Sequence, residues 1–122
     1  MTDGLRLAAS CVVVLVGPSA SGKTTWADEW FAPGQVVSAD RLRALVGKGE
    51  HDHRAGTDAF AVLDLVLERR ARRKLLTVVD TLGLDRDRRR RYVEVARRHG
   101  LPVVAVAFEV PPAEGRGPQP AP

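Results

Sequence analysis

Short apolar runs alternate with helix-like repeats along this chain. The first run, Val12 to Val16, is continuous and β-branched, which is typical of a strand that is covered on both faces of a parallel sheet. Apolar positions then recur at helical spacing from Lys23 to Phe31, and Pro33-Gly34 ends that repeat. The chain is therefore predicted to begin with a strand, a loop and a helix.

The same alternation continues to residue 108. It predicts a βαβαβαβ order, which implies an α/β fold: a three-layer αβα sandwich with a parallel sheet of about four strands. We predict the remaining strands at 35–38, 75–79 and 102–108, and helices before Gly47, from a Thr57 cap to about Ala71, and over 86–99 with Gly100 as the terminator.

The size of the chain indicates a single domain. It has 122 residues, of which 44% are hydrophobic and 28% are charged, and no apolar stretch is long enough to cross a bilayer. We expect an N-terminal extension at 1–10, one domain at 11–111 and a disordered Pro/Gly-rich tail at 112–122. The lone Cys11 suits a reduced, buried thiol, and no export signal precedes it, so a soluble protein of the cytoplasm is predicted.

Positive charge is concentrated in the second half of the chain. The formal net charge is +4, the isoelectric point is near 10.0, and most of the arginines lie between Arg69 and Arg98. Such a distribution can attract polyanions, or it can belong to solvated helix faces. A nucleic acid is therefore a candidate partner on this evidence, and a membrane is not predicted.

The loop after the first strand fits a P-loop, also called a Walker A motif. Its sequence, Gly17-Pro18-Ser19-Ala20-Ser21-Gly22-Lys23-Thr24, has two glycines where the backbone must curl and expose its N–H groups to phosphate. A helix that starts near Lys23 adds the positive end of its dipole. The predicted ligand is ATP with Mg²⁺, although GTP is not excluded. The predicted phosphate-binding residues are Gly17, Ser19, Ala20, Ser21, Gly22, Lys23, Thr24 and Thr25.

Three residues, Lys23, Asp40 and Arg43, are candidates for catalysis, and Thr24 and Asp80 are candidates for binding Mg²⁺. Lys23 is expected to bridge the β- and γ-phosphates, and Thr24 to ligate Mg²⁺. Asp40, which we expect at the end of a second strand lying beside the first, is a candidate general base or a helix cap, or both. Arg43 lies one helical turn beyond Asp40 and could hold an acceptor phosphate or be a surface arginine. Asp80 ends an apolar run and is a candidate Mg²⁺ ligand through water, or a turn residue.

The segment His51-Asp52-His53 suggests a metal site at first sight. Zinc is not predicted, because the two histidines alternate in a polar loop and no second group of cysteines or histidines accompanies them.

The P-loop, Val37-Ser38-Ala39-Asp40 with Arg43, Asp58-Ala59-Phe60 and Thr77-Val78-Val79-Asp80 together resemble the bacterial polynucleotide 5′-kinase domain, one of the P-loop kinases related to AAA-type ATPases and zeta toxins. The likeness covers roughly residues 11 to 111. It implies that Lys23 and Thr24 bind MgATP. It also implies that Asp40 activates a 5′-hydroxyl and that Arg43 binds the neighbouring phosphate of the acceptor.

The chain departs from that family in two places. Thr81-Leu82-Gly83 stands where the family tends to have Ala-Thr-Asn, and no arginine-bearing lid helix or fifth strand is predicted after the fourth strand. Residues 114–118 are too rich in Gly and Pro to form such a helix. The sequence therefore predicts a domain that is truncated or frameshifted after Pro112, before its lid, and a missing fused domain stays open. Its transfer rate is expected to be impaired.

Three functions are compatible with this sequence. The first is an ATP-dependent kinase, a phosphotransferase that moves the γ-phosphoryl group to a hydroxyl; its preferred acceptor is a polynucleotide 5′-end, with a small molecule as the alternative. The second is a nucleotide-binding, ATPase-like module with little or no kinase activity. The third is a nucleic-acid-binding protein that uses its arginine-rich helices.

Overall fold

The computed structural model describes residues 9–18, 21–81, 86–108 and 119–120. Within them, four α-helices and five strands follow one another in the order β-α-β-α-α-β-α-β-β, and short 3₁₀ turns occur at Pro33–Gln35 and His53–Ala55. The strands are β1 (Val12–Val16), β2 (Val36–Ser38), β3 (Thr77–Asp80), β4 (Val103–Ala107) and β5 (Gln119–Pro120); the helices are α1 (Lys23–Trp30), α2 (Ala39–Val46), α3 (Gly56–Arg72) and α4 (Arg86–Arg98).

The five strands form one sheet in the order β2-β3-β1-β4-β5. The pairings among β1 to β4 are parallel, and β5 pairs antiparallel with β4. The prediction that the second strand lies beside the first is wrong, because β3 is inserted between them. Local sequence pattern gives the order of elements along the chain, whereas the order across the sheet depends on which strands pair over long distances.

The central strand β1 packs apolar side chains into both faces of the sheet. Val12 and Val14 contact a core cluster that includes Leu63 and Leu67 of α3, together with buried side chains of α4. Cys11, Val13 and Leu15 point to the other face, where α1 contributes Trp26. This alternation explains the continuous apolar run, since each strand position has a buried partner. Burial also raises the pKa of the Cys11 thiol, which disfavours the reactive thiolate.

Two helix starts differ from the sequence-based expectation. Ser38, not Asp40, caps α2: its hydroxyl accepts the Arg41 N–H at 3.4 Å, and Asp40 lies in the first turn. Helix α3 begins at Gly56 directly after a 3₁₀ turn, so Thr57 lies inside the helix and the prediction that it caps it is wrong. The preceding turn already directs the chain into the helix, and the side chain of Asp52 caps that turn.

The two ends of the chain are described only in part. Of the predicted extension at 1–10, residues 1–8 lie outside the described residues. Of the predicted tail at 112–122, only Gln119–Pro120 are described, and they pair with Val106 and Ala107 of β4. At these two positions the chain is therefore paired, where the sequence predicted no regular structure. No helix in the described ranges is long and apolar enough to span a membrane.

Ion pairs join α3 to α4. Asp64 accepts hydrogen bonds from Arg88, at 2.6 and 3.1 Å, and from Arg91 at 2.7 Å. Arg88 also bonds to the hydroxyl of Tyr92 and lies over the rings of Phe60 and Tyr92. Burial raises the pKa of Tyr92 and so keeps its hydroxyl neutral. The two helices are thus fixed side by side on one face of the sheet.

One further link between α3 and α4 has a predictable pH dependence. Glu68 bonds to the His99 ring at 2.8 Å and to Arg98 at 3.1 Å, and the hydrogen bond to His99 is the largest cause that lowers the pKa of Glu68. A carboxyl group whose pKa is lower in the folded state stabilises the protein above its unfolded pKa, and this stabilisation is lost as the pH falls through the folded pKa.

We therefore expect Glu68→Gln to lower the free energy of unfolding by at most about 1 kcal/mol near pH 6, and we expect this difference to shrink as the pH falls below the ordinary pKa of glutamate, about 4.3. Urea unfolding of both proteins across this range measures the difference. A difference that grows as the pH falls would contradict the assignment.

Candidate phosphate-binding site

The loop between β1 and α1 starts at a position that only glycine can occupy. Gly17 has a φ of 154°, and a Cβ built on it would lie 2.6 Å from the carbonyl oxygen of Phe108. The backbone is fixed there because the N–H of Phe108 donates to the carbonyl of Val16 at 2.7 Å. Close packing against the chain after β4 therefore accounts for the first glycine of the motif.

The second half of the loop leads directly into α1. Ser21 bonds back to the carbonyl of Pro18 through both its hydroxyl, at 2.6 Å, and its N–H, at 3.1 Å. Gly22 adopts a left-handed conformation with a φ of 84° and precedes the helix at its N-cap position. Since glycine has no side chain to cap the helix, the first-turn N–H groups of α1 stay available to an anion.

Lys23 is held inside the loop. Its side chain is only 2% exposed, its Nζ donates to the carbonyl of Gly17 at 2.9 Å, and it lies 3.6 Å from Oδ1 of Asp80. The ammonium group therefore lies beside the loop that the sequence assigns to phosphate. Its positive charge is balanced by a carboxylate that is itself only 4% exposed.

Thr24 and Asp80 also meet at this point. The hydroxyl of Thr24 donates to Oδ2 of Asp80 at 2.7 Å, so the two oxygens of one carboxylate contact two consecutive residues of the P-loop motif. β1 and β3 are adjacent parallel strands with Leu15 opposite Asp80, which brings the end of β3 to the start of the loop. The structure thus brings together Lys23, Thr24 and Asp80, as the sequence predicted, and adds a direct ion pair that the sequence analysis did not anticipate.

Asp40 and Arg43 lie at the same edge of the sheet. Ser38 of β2 pairs with Asp80 of β3, and Asp40 follows two residues later, in the first turn of α2. Arg43 donates a hydrogen bond from Nη2 to Oδ1 of Asp40. The side chain of Arg43 is 12% exposed, and its Nε–H has no hydrogen-bond partner among the described residues. A buried guanidinium with an unused donor fits an oxyanion.

An exposed ion pair joins α1 to α2. Arg41 bonds to Asp28 at 2.5 Å, and this hydrogen bond is the largest cause that raises the pKa of Arg41. The negative charge of Asp80 is a smaller contributor to the same shift.

The other residues that the sequence suggested for the site do not join this group of side chains in the described structure. Thr25 is exposed in the first turn of α1, whereas Ser19 and Ala20 lie outside the described residues. Both oxygens of Asp52 accept backbone N–H groups, from Lys48 and Arg54, which gives this residue a structural role in its loop.

No group of three or more His, Cys, Asp or Glu residues that could hold a metal ion occurs in the described part of the chain. Phe108, which sets the position of Gly17, was missed because its contact with Gly17 is remote in sequence.

A comparison with known protein families agrees with this geometry. The family model described as AAA domain matches residues 12–117, which include the loop, β2, β3 and β4. The chain belongs to this AAA-domain family. Membership implies that the P-loop of this AAA-domain protein binds a nucleotide. None of the curated protein sequences matches the chain.

Solved structures support the fold of the AAA-domain chain. One, described as "Crystal structure of APE1195", has a TM-score of 0.58 and 18% sequence identity over 81% of this chain. At this identity the likeness shows the fold alone. This chain covers 60% of the length of that one. The predicted α/β P-loop fold, with four parallel strands, is confirmed.

Proposed function

We propose that this protein is an ATP-dependent kinase that transfers the γ-phosphoryl group to a hydroxyl, and that its first-choice acceptor is a polynucleotide 5′-end. The observation that carries the proposal is the convergence of Lys23 and Thr24 on Asp80, with Asp40 and Arg43 at the same edge of the sheet. The sheet, the loop and the helix N-terminus are shared by P-loop proteins of many functions. The choice of a kinase therefore depends on Asp40 and Arg43.

The nucleotide would be bound by groups of the loop and of the first turn of α1. Backbone N–H groups after Gly22 would bind phosphate oxygens, and the Lys23 ammonium would move from Gly17 and Asp80 to the β- and γ-phosphates. The Thr24 hydroxyl and the Asp80 carboxylate are hard oxygen donors within 2.7 Å of each other, and such donors fit Mg²⁺. When bound, the ion would neutralise charge on the phosphates.

The acceptor side is assigned to Asp40. Arg43 occupies its Oδ1, while Oδ2 has no hydrogen bond within the described residues and is the atom that we assign as proton acceptor. In the proposed step the acceptor oxygen bonds to the γ-phosphorus, its proton passes to Oδ2, and the bond from that phosphorus to the bridging oxygen breaks. ADP leaves with the electron pair of that bond.

Arg43 is assigned to the acceptor as well. Its Nη2 orients the Asp40 carboxylate. Its Nε–H is buried and has no partner within the described residues, so the side chain would have to turn for this group to donate to an oxyanion on the acceptor. A nucleic-acid end has such an oxyanion in its neighbouring phosphate, whereas many small alcohols have none. This difference, together with the resemblance of the sequence motifs, makes a polynucleotide the first choice.

The proposal is tested by following γ-labelled phosphate from ATP in the presence of Mg²⁺. Three parallel reactions contain a 5′-hydroxyl oligonucleotide, the same oligonucleotide already phosphorylated at its 5′-end, or a panel of small alcohols. We expect label only in the first. Label found only in the small alcohols would support the kinase assignment and would identify the acceptor as a small alcohol instead of a polynucleotide.

Two other outcomes would contradict the assignment of kinase activity and favour a different function. Free labelled phosphate at a rate that no acceptor changes would indicate an ATPase. Calorimetric binding of ATP with neither transfer nor hydrolysis would indicate a nucleotide-binding module, which is the alternative that the sequence left open.

A further inference from the structure

The arginines of α4 fall into two groups with different surroundings. On one side of the helix Arg88, Arg91 and Arg98 are paired with the carboxylates of α3. On another side four exposed arginines have neither an ion pair nor a side-chain hydrogen bond within the described residues. These four are Arg86, Arg89, Arg90 and Arg97, which we call the arginine stripe.

Helical spacing explains why the stripe is separate from the paired group. Arg86, Arg90 and Arg97 are spaced by four and seven residues, and Arg89 lies three residues after Arg86, so these side chains share one side of the helix. Arg91 and Arg98 are also seven residues apart and share the side that meets α3. Asp87 and Glu94 of α4 are exposed between the two groups, and no ion pair joins either of them to the stripe within the described residues.

We propose that the arginine stripe binds the phosphate backbone of a nucleic-acid duplex, independently of base sequence. From Arg86 to Arg97 the stripe extends over roughly 16 Å at 1.5 Å per residue. Duplex DNA has about one negative charge per 1.7 Å of its axis, so several phosphates lie within reach of four guanidinium groups. Guanidinium forms bidentate contacts with phosphate, which explains why a surface of arginines rather than lysines fits this ligand.

The composition of the exposed surface of α4 favours a duplex over other polyanions. Proteins that bind single strands stack bases on exposed aromatic rings, but the one aromatic residue of this helix, Tyr92, is fully buried. Helices that bind membranes insert an apolar face into the lipid. The apolar face of α4, made by Tyr92, Val95 and Ala96, is packed against the sheet and is not available for insertion.

The proposal does not depend on phosphoryl transfer, so it is tested without ATP. Fluorescence anisotropy of a labelled duplex of about 20 base pairs, from roughly 20 to 200 mM salt, gives the affinity and its salt dependence. The test variant is R90Q/R97Q. The matched control is R91Q/R98Q, which removes the same charge from the same helix on the side that is paired with α3.

We expect wild-type protein to bind the duplex with an affinity that falls as salt rises. Losing two phosphate contacts should make the slope of log K against log salt shallower by about 1.8 and weaken binding by on the order of tenfold or more near 0.1 M salt. The control variant should change both quantities by less than half as much. R90K/R97K, which keeps the charge, should retain most of the slope, and thermal unfolding verifies that every variant is folded.

Four results would overturn the proposal. They are no binding by wild-type protein at the lowest salt, equal losses in R90Q/R97Q and R91Q/R98Q, tighter binding of a single strand than of the duplex, and binding to phosphatidylserine vesicles that is as tight as to the duplex. None of them bears on Lys23 or Asp40. Failure of the stripe and failure of the kinase are therefore distinguishable.

Discussion

Lys23→Ala is expected to weaken ATP binding by about 100-fold or more, because charge-assisted hydrogen bonds of the kind that Lys23 would make to two phosphates contribute about 1.5–3 kcal/mol each. The same change should destabilise the protein. It leaves the Asp80 carboxylate, which is 4% exposed, without its cation, and breaking a buried pair in this way costs about 3–5 kcal/mol. Calorimetry with MgATP measures the first effect and urea unfolding the second.

The double variant K23A/D80N separates the two effects. Asparagine has no charge to leave unpaired and can still accept the hydrogen bond from Thr24, so most of the lost stability should return while ATP binding stays weak. Lys48→Ala is the matched lysine control, because Lys48 is exposed and remote from the loop motif, and it should change neither quantity. Wild-type affinity for MgATP in Lys23→Ala would refute the phosphate-site assignment.

Asp40→Asn is expected to lower the kcat of phosphoryl transfer by about 10²- to 10⁴-fold, which is the usual contribution of a general base. The affinity for ATP should stay within about twofold of wild type, since Asp40 is not part of the P-loop. Asparagine can keep the hydrogen bond from Arg43, while it removes the capacity to accept the proton and the negative charge of the ion pair, so the hydrogen-bonding part of a structural role of Asp40 would be retained.

The control for Asp40 is Glu29→Gln, which removes another carboxylate from an exposed position on α1. Its kcat should equal that of wild-type protein. A transfer rate in Asp40→Asn within a few-fold of wild type would remove Asp40 as the base, whereas a loss of ATP binding in that variant would indicate a role in the nucleotide site instead.

Local pattern predicted the elements of this fold well. The apolar run at Val12–Val16 and the helical stripe through Leu63 and Leu67 both have the burial that their spacing indicates, because each pattern is produced by the side of the element that faces the core. The glycines of the loop were also predictable. Gly22 takes a left-handed conformation, which disfavours most other residues, and Gly17 makes a close backbone contact that leaves no room for a side chain.

The remaining features depend on contacts that no local pattern contains. The pairing of β2 with β3 rather than with β1, the ion pair between Lys23 and Asp80, and the contact of Phe108 with Gly17 all join segments that are distant in sequence. The role of Ser38 as the helix cap was missed for another reason. Serine and aspartate both favour that position, so the choice between neighbouring candidates depends on where the strand ends.

The position of β1 in the sheet determines when the phosphate loop can form during folding. β1 comes first in the chain, yet Val12 pairs with Thr77 on one side and with Val103 on the other. Such non-local parallel pairings form slowly, because a long stretch of chain must be closed before they stabilise anything. During synthesis, the loop therefore stays without its supporting strands until almost the whole domain has left the ribosome. The nucleotide site is accordingly a late product of folding, and nucleotide can stabilise only chains that have completed it.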